Sequence, residues 1–432
     1  MNYSEDINMK KKILIAGLAT LFALSVAACS YDAVTSGNST DSVTSFTAAV
    51  KLNDTSSKTS TDSSVTENVS YDTNDLFTER DLEQTADTSE AQTITVTDNK
   101  DIEITEEGIY VITGTASEVT IKVNAGDEDK VQLVLDGVSI TNKDFPCIYV
   151  VNADKVFVTT AEGTTNKLSV TGEFTSDGDT NTDAVIFSKD DIVLNGEGTL
   201  EITSSKNGIS GKDDLKITGG SYVISCVKSA VEANDSILIA DGNITVTTCN
   251  DGLHAENDDD DTLGYIYISG GTISINSEDD GIHATSYMTI DGGDITITAS
   301  EGLEGTVITI NDGTLNITAS DDGINAARKS SSYQPSLTVN GGEITIDMGA
   351  GDTDAIDSNG DLYINGGTFN ITAQSPFDYD GNCEYTGGTL IVNGSETNTI
   401  TNQMMGGGMG PGSGGMDPGQ GGMGGHGGRG GF

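Results

Sequence analysis

Two rows of mostly acidic side chains recur at constant places in the middle of this 432-residue sequence. The first row precedes a small corner residue and comprises Asp251, Asp280, Glu301, Asp322 and Asp354. The second row follows three residues later and comprises His254, His283, Glu304, Asn325 and Asp357, with Glu232 one repeat earlier. Asp321 adds a further carboxylate beside Asp322. Side chains of these types hold metal ions or transfer protons.

The spacing favours a hard divalent cation. If equivalent positions superpose on stacked strands, neighbouring carboxylates lie about 5 Å apart and repel one another unless a positive charge separates them. Calcium takes about six to eight oxygen ligands. We therefore predict a calcium site with ligands among Asp251, Asp280, Glu301, Glu304, Asp321, Asp322, Asp354 and Asp357.

Two other interpretations of these rows remain open. An Asp or Asn before glycine also satisfies turn geometry, which accounts for one acid per turn but not for the second row. His254 and His283 on neighbouring repeats suggest zinc or an acid/base pair, although no third nitrogen or thiolate is in register with them.

The elements that position these rows are short strands that repeat about every 22 residues between residues 208 and 388. Each copy has a corner such as Asp280-Gly281-Ile282 and a glycine pair such as Gly292-Gly293, with apolar residues at alternate positions on both sides of the pair. Alternation of period two indicates strands, and a repeat of this length indicates stacked units. Neither helical spacing nor the leucine ladder of a leucine-rich repeat is visible. We predict an all-β parallel β-helix, a solenoid, over residues 91–402.

Two copies of the repeat carry insertions at the same place. Most copies need 11 or 12 residues from the corner glycine to the second glycine of the pair, whereas residues 252–271 and 323–342 span 19. Both loops must leave the solenoid on the same side, three rungs or roughly 14 Å apart. Insertions of this kind commonly form a binding face.

Aromatic and basic residues near these insertions suggest a carbohydrate surface. Tyr265 and Tyr267 flank an inward isoleucine, and Tyr287 takes the place of Tyr265 one rung later, so we expect outward, exposed rings suited to sugar faces. Tyrosine is also a common strand residue. Arg328 and Lys329 in the second insertion are expected to hold carboxylate groups of a ligand. The predicted carbohydrate-binding set is Tyr265, Tyr267, Tyr287, Arg328, Lys329 and Tyr333.

The N-terminal sequence predicts export and lipid anchoring. Three lysines precede an apolar run that ends in Val26-Ala27-Ala28-Cys29, which resembles a bacterial lipobox. Residues 1–29 are therefore predicted to be a lipoprotein signal peptide, with Cys29 lipid-modified and the protein held at the extracellular face of the cell membrane. Residues 30–90 are predicted to be a disordered Ser/Thr/Asp-rich tether, and residues 403–432 a disordered Gly/Met-rich tail.

The net charge limits the possible binding partners, and the cysteine spacing raises the question of a disulfide. The chain has 20 lysine and arginine residues against 67 aspartate and glutamate residues, a formal net charge of −47. Such a surface repels nucleic acid and anionic lipid, so we expect membrane contact only through the lipid anchor. Cys226 and Cys249 are nearly superposed on adjacent rungs and either pair or remain buried thiols.

The Asp-Gly-Ile-x-Ala corners and Ile-x-Gly-Gly-x-Ile strands resemble a bacterial secreted carbohydrate-binding β-helix family over residues 91–402. Its described member binds polygalacturonate and cellulose and carries calcium. The resemblance implies a right-handed β-helix like that of polysaccharide lyases and a binder of pectin or another plant polysaccharide. We predict a non-catalytic, calcium-assisted binder of acidic polysaccharide. The alternatives are a pectate-lyase-like enzyme with Arg328 beside the metal, and a structural adhesin or envelope spacer.

Overall fold

The computed structural model describes residues 76–349 and 353–403. Within these ranges the regular structure is β throughout, apart from one 3₁₀ turn, Thr88–Glu90. A search of the same residues finds no helix with the length and apolarity that a membrane span needs. The predicted signal peptide with Cys29, residues 30–75 of the predicted tether and the tail from residue 404 lie outside the described residues.

The strands stack into three parallel ladders, here called faces A, B and C. Face A contains β1 (Gln92–Thr95), β3 (Gly108–Thr113), β6 (Lys130–Leu135), β9 (Lys155–Thr160), β12 (Asp191–Gly196), β15 (Asp214–Ile217), β18 (Ser236–Ile239), β21 (Tyr265–Ile268), β28 (Ser336–Val339), β31 (Asp361–Ile364) and β34 (Cys383–Tyr385). Face B contains β2 (Ile102–Ile104), β5 (Ile121–Asn124), β8 (Ile148–Asn152), β11 (Ala184–Ser188), β14 (Asn207–Gly211), β17 (Val231–Ala233), β20 (Leu253–Ala255), β27 (Asp322–Ala326), β30 (Asp354–Ser358) and β33 (Asp378–Tyr379). The long strands β23 (Asp280–Ile290) and β25 (Glu301–Ile310) run through both faces.

Face C contains β4 (Thr115–Ser117), β7 (Ser139–Asn142), β10 (Thr165–Val170), β13 (Thr199–Ser204), β16 (Ser221–Ser225), β19 (Asn243–Thr248), β22 (Thr272–Asn276), β24 (Asp294–Ala299), β26 (Thr314–Ala319), β29 (Glu343–Met348), β32 (Thr368–Thr372), β35 (Thr389–Val392) and β36 (Ser395–Thr397). Each strand pairs in parallel with its counterpart on the next rung, and the antiparallel pair β35–β36 ends this ladder. The predicted parallel β-helix is confirmed. Its right-handed sense stays a prediction.

The apolar positions of the repeat form the interior. Ile273, Ile295, Leu315, Ile344 and Phe369 are aligned on successive rungs of face C, and each is at most 1 % exposed. The glycine pairs are required at the corners. Gly271 has a φ of +91°, and a Cβ on Gly270 would lie 2.6 Å from the carbonyl oxygen of Ala240.

Residues 76–90 correct the predicted boundary of the tether, because they are ordered against face A. Residues 76–84 form a segment of bends and consecutive turns, here called the strap. Its Asp81 is fully buried, with the Nζ atoms of Lys155 and Lys216 at 3.2 and 3.3 Å from its carboxylate. Buried ion pairs and backbone hydrogen bonds offset the entropy of ordering, which composition alone does not show.

The four cysteines of the described residues are free thiols. Cys147, Cys226 and Cys249 are buried, and Cys383 is half-buried. Burial raises the pKa of Cys147 to about 12, so this thiol stays protonated and unreactive. Of the two interpretations of Cys226 and Cys249, a disulfide or two buried thiols, the structure has the buried thiols.

Candidate functional site

The two acidic rows stack along face B as the repeat predicts. In the first row Asp280 pairs in register with Glu301, and Asp322 with Asp354. In the second row the registered pairs are His254 with His283, His283 with Glu304, Glu304 with Asn325, and Asn325 with Asp357. Asp378 continues the second row beyond Asp357. Sequence analysis missed Asp378 because its corner contains no glycine.

Protein cations separate the carboxylates at the N-terminal end of the rows. The Nδ1 atom of His283 lies 2.8 Å from Asp280 and 2.7 Å from Glu304, and the Nζ atom of Lys329 forms a close ion pair with Glu304. Burial works against the ionisation of Glu304, but hydrogen bonds from His283 and Lys329 lower its pKa to about 2. Burial also lowers the pKa of His283, and its hydrogen bonds to Asp280 and Glu304 outweigh this and raise it.

His254 repeats this arrangement one rung earlier. Its ring stacks on that of His283, with centroids 4.5 Å apart and planes 5° from parallel. Its two nitrogens face Asp251 at 3.5 Å and Glu256 at 3.2 Å. Burial opposes the charge, yet the Asp251 and Glu256 carboxylates beside the ring raise the pKa of His254 to about 10. The histidine half is the name used below for Asp251, His254, Asp280, His283, Glu304 and Lys329.

At the C-terminal end of the rows, burial and neighbouring acids raise the pKa values of the carboxyl groups. Burial, followed by the charge of Glu304, raises the pKa of Glu301 to about 8. Burial and the charge of Asp357 raise the pKa of Asp322 to about 7. Burial and the charge of Asp378 raise the pKa of Asp357 to about 6. Asp321 is exposed and contributes to the shift of Asp322. The carboxylate half comprises Glu301, Asp321, Asp322, Asn325, Asp354, Asp357 and Asp378.

Oxygen atoms in the carboxylate half lack donors. Asn325 is 8 % exposed and gives its amide hydrogens to Glu301 at 3.0 Å, while its Oδ1 atom is buried without a hydrogen-bond partner in the described part of the chain. The Oδ1 atom of Asp378 is also buried without a hydrogen-bond partner among the described residues. A buried acceptor left without a donor is costly, and a cation would satisfy it. The donor atoms of this half are oxygens, the type of ligand that calcium prefers.

The histidine half fits calcium poorly. Ligand atoms of Asp280, His283 and Glu304 lie within 4.8 Å of one another, close enough for one metal ion. However, the His283 nitrogen lies between both carboxylates, and Lys329 takes the other oxygen of Glu304. His254, His283 and Lys329 place positive charge beside Asp251, Asp280 and Glu304, where we expected calcium, and calcium at these residues stays a prediction.

The two insertions meet on the same side of the solenoid, as predicted. The carboxylate of Asp261 in the first loop accepts hydrogen bonds from the backbone and hydroxyl of Ser331 at 2.8 and 2.6 Å and from the hydroxyl of Ser332 at 2.6 Å. These bonds lower the pKa of Asp261 to about 2. Thr306 on β25 accepts the amides of Lys329 and Ser330 at 3.0 and 2.8 Å. The joined loops thus cover the rungs between them.

The predicted exposure of the tyrosines is wrong for two of them. Tyr265 and Tyr287 stack as expected, with centroids 4.7 Å apart and planes 17° from parallel. Tyr287 is only 6 % exposed because Tyr333 from the second loop packs edge-on to it, 6.1 Å away. Tyr267 is equally buried, since Phe77 of the strap lies 6.3 Å from it and its hydroxyl donates to Asp291 at 2.8 Å. Tyr265 and Tyr333 remain half-buried.

The basic pair also differs from the prediction. Lys329 is paired with Glu304 and is not directed at a ligand. Arg328 is exposed and donates to the Oε1 atom of Gln334 at 2.7 Å. Sequence spacing placed both residues on the loop beside the acidic rows, but it could not show which of them turns inward.

Comparison with known proteins now adds to this geometry. A family model described as "Carbohydrate-binding domain-containing protein" matches residues 98–352 and 299–405, which together span most of the β-helix. The chain belongs to this carbohydrate-binding domain family. The resemblance drawn from the corner and strand motifs is confirmed at this level, while calcium and secretion remain expectations.

Members of the family and a solved structure can be compared with the chain directly. A carbohydrate-binding domain-containing protein of Acetivibrio thermocellus is 39 % identical over 128 residues, which is 29 % of this chain and 45 % of that protein. The chain thus matches under half the length of this curated relative. A gadolinium derivative of the polysaccharide lyase-like protein from C. thermocellum is 32 % identical, with a TM-score of 0.46 over 52 % of this chain and 96 % of the other.

Proposed function

We propose that this carbohydrate-binding protein is a non-catalytic binder of acidic polysaccharide that works with calcium. In this proposal the carboxylate half holds calcium, and the ion bridges protein carboxylates to uronate carboxylates of a polymer such as polygalacturonate. An anionic protein can in this way hold an anionic polymer. Anchoring at the extracellular face of the membrane through Cys29 belongs to the same proposal and would keep the domain near extracellular polysaccharide.

The observation that carries the proposal is the buried Oδ1 atom of Asn325, which has no donor among the described residues. It lies in register between Glu304 and Asp357, beside acids whose pKa values are raised by burial and mutual repulsion. Calcium would be held by Asp322, Asn325 and Asp357, with Glu301, Asp354 and Asp378 as neighbouring oxygens. When bound, it supplies the positive charge that this half of the rows lacks.

The joined loops supply the second part of the surface. The half-buried Tyr265 and Tyr333 are partly accessible, and Arg328 is an exposed basic group of the second loop. A sugar ring would contact the aromatic edges, and Arg328 would meet a uronate carboxylate. Tyr287 and Lys329 act in support, because Tyr287 packs on Tyr265 and Tyr333 and Lys329 is paired with Glu304. Tyr267 lies beneath the strap instead.

The chemistry of Lys329 argues against this residue as the base of a lyase, a role that the lyase alternative gives to Arg328. A lyase of the pectate type needs a base close to the metal, and a catalytic lysine needs a lowered pKa. Burial does lower the pKa of Lys329, but its hydrogen bond to Glu304 outweighs this and raises it. Lys329 therefore holds its proton at neutral pH.

A polysaccharide array with polygalacturonate and cellulose, probed with and without calcium, tests the proposal. The unmodified protein is expected to retain polygalacturonate in calcium and to release it in EDTA. Asp357→Asn should bind at least about tenfold more weakly, since a charged ligand contributes over 1 kcal/mol. Asp294→Asn, an exposed change of the same kind on β24, is the matched control and should bind normally. Equal binding in calcium and EDTA would contradict the proposal.

A further inference from the structure

The strap covers an outward surface of face A that is unusually apolar and basic for this acidic chain. Phe157, Val193, Lys216, Leu238 and Tyr267 are aligned on five successive rungs, β9 to β21, over roughly 19 Å. They alternate with interior residues and therefore point out of the solenoid, yet each is at most 7 % exposed. Surfaces of this kind are rarely left on a solenoid without a partner.

The strap places one carboxylate and one aromatic ring on this surface. Asp81 lies between Lys155 and Lys216, whose side chains are only 11 % and 9 % exposed. Phe77 lies against Tyr267, with its other side near the Nζ atom of Lys216, 5.8 Å from the ring centroid. At the far end the guanidinium of Arg80 sits 4.5 Å above the ring of Phe157. The surface beneath the strap thus recognises a flat apolar body and a carboxylate together.

Polar groups along the edge of this surface are also used by the strap. Asn195 donates to the carbonyl oxygen of Glu83 at 2.9 Å, and Gln84 bridges the amide of Gly196 at 2.9 Å and the carbonyl of Thr218 at 2.8 Å. Beside Leu82 and Gln84 an open groove of about 620 Å³ continues over the corners of the next rungs. Its volume is in the range of small-ligand sites, about 300–1,000 Å³.

We propose that face A beneath the strap is a second carbohydrate-binding surface, for a saccharide that carries a carboxylate, and that the strap occupies it in competition with that saccharide. A uronate combines a ring face with a carboxylate, the two features that Phe77 and Asp81 present. Its carboxylate replaces that of Asp81 on Lys155 and Lys216, and its ring replaces Phe77 on Tyr267. The added groove accommodates neighbouring sugar units. Since lysines bind the carboxylate, this surface needs no calcium.

Competition makes a definite thermodynamic prediction. The apparent affinity of the surface is its intrinsic affinity multiplied by the fraction of molecules in which the strap has left it. Weakening the strap raises that fraction, so binding should improve when strap contacts are removed. Asp81→Asn is the sharpest change because it removes the charge that pairs with both lysines. Glu79→Gln is the matched control, since Glu79 is exposed in the same segment and loses the same charge.

The experiment is calorimetric titration of the full chain with trigalacturonate in EDTA, combined with hydrogen exchange of the strap amides. Asp81→Asn is expected to bind about tenfold more tightly than the unmodified chain, Glu79→Gln the same as the unmodified chain, and Asp81→Asn/Lys216→Gln no better. In the unmodified chain the amides of Leu82 and Glu83, which bond within the strap, should exchange faster as trigalacturonate is added. Trigalacturonate supplies the carboxylate and the sugar ring together, and acetate in place of it tests the carboxylate alone.

The outcomes separate a competing strap from a purely structural one. A lower melting temperature of Asp81→Asn without tighter binding, or strap amides that stay equally protected at the highest trigalacturonate concentration, would overturn the proposal. If Asp81→Asn does not fold, the exchange measurement on the unmodified chain decides alone. An equal response to acetate would overturn the saccharide assignment. Because EDTA is present throughout, failure here is distinct from failure of the calcium proposal.

Discussion

The histidine half and the carboxylate half occupy equivalent positions on consecutive rungs, yet they handle the same electrostatic problem differently. In the histidine half, His254, His283 and Lys329 lie among the carboxylates, and the pKa of Glu304 falls to about 2. In the carboxylate half no such cation is present among the described residues, and the pKa of Asp322 rises to about 7. The comparison teaches that register alone does not define a metal site. An acid paired with a protein cation has its charge balanced within the protein, whereas Asp322 and Asp357 lie beside other acids, where we propose an external ion.

Removing the central imidazole should have the largest effect. His283→Ala leaves Asp280 and Glu304 buried without their shared cation, and breaking such a pair costs about 3–5 kcal/mol. The variant should melt at a much lower temperature in EDTA and should recover part of the loss when calcium is added. Thermal melts in both conditions check this. A variant that melts like the unmodified protein would show that the histidine half is not held by His283.

Neutralising one acid of the carboxylate half should instead stabilise the protein in EDTA. Asp322→Asn removes repulsion with Asp357, so it should raise stability in EDTA by about 1 kcal/mol. It should also reduce the calcium-dependent rise in melting temperature, which for a site at a hundredfold excess over Kd is worth about 2.7 kcal/mol in the unmodified protein. Asp294→Asn, exposed on face C, should change neither quantity. Loss of stability in EDTA would contradict the claim of uncompensated repulsion.

The acids of the carboxylate half and His254 should also respond to pH in separate windows. A carboxyl whose folded pKa is raised binds more protons in the folded state, so its stabilisation is lost as pH rises from its ordinary value near 4 to about 6–8 for Asp357, Asp322 and Glu301. The raised pKa of His254 has the same sign in a higher window, from about 6.5 to about 10. As pH rises, the melting temperature in EDTA should therefore fall in two steps, and calcium should remove only the step at lower pH. A single step that is insensitive to calcium would contradict the proposed difference between the two halves.

The smallest effect is expected at Arg328. Because Arg328 is exposed and its hydrogen bond runs to the neighbouring Gln334 of the same loop, Arg328→Ala should change stability by no more than about 0.5 kcal/mol. It should weaken uronate binding modestly and speed dissociation in high salt. Neither the variant nor the unmodified protein should form ultraviolet-absorbing unsaturated sugar. If the unmodified protein forms it and the variant does not, the lyase alternative is correct.

The fold and the acidic rows could be predicted because both follow from a local repeat. Glycine spacing sets the register, and register superposes Asp280 on Glu301 and Asn325 on Asp357. The burial of Tyr267 and Tyr287 could not be predicted in this way, because it depends on Phe77 and Tyr333, which come from a segment before the repeats and from an insertion. The ordering of the strap could not be predicted from composition for the same reason. Long-range contacts between irregular segments leave no periodic signal.

The central claim is that calcium binds where the rows lack a protein cation, and calorimetric titration with calcium tests it most directly. The unmodified protein is expected to bind calcium, Asp322→Asn and Asp357→Asn are expected to lose that heat, and Asp251→Asn is expected to keep it, since Asp251 is paired with His254. Loss of calcium binding on Asp251→Asn with binding retained by Asp322→Asn and Asp357→Asn would contradict the account, and so would the absence of any binding heat in the unmodified protein.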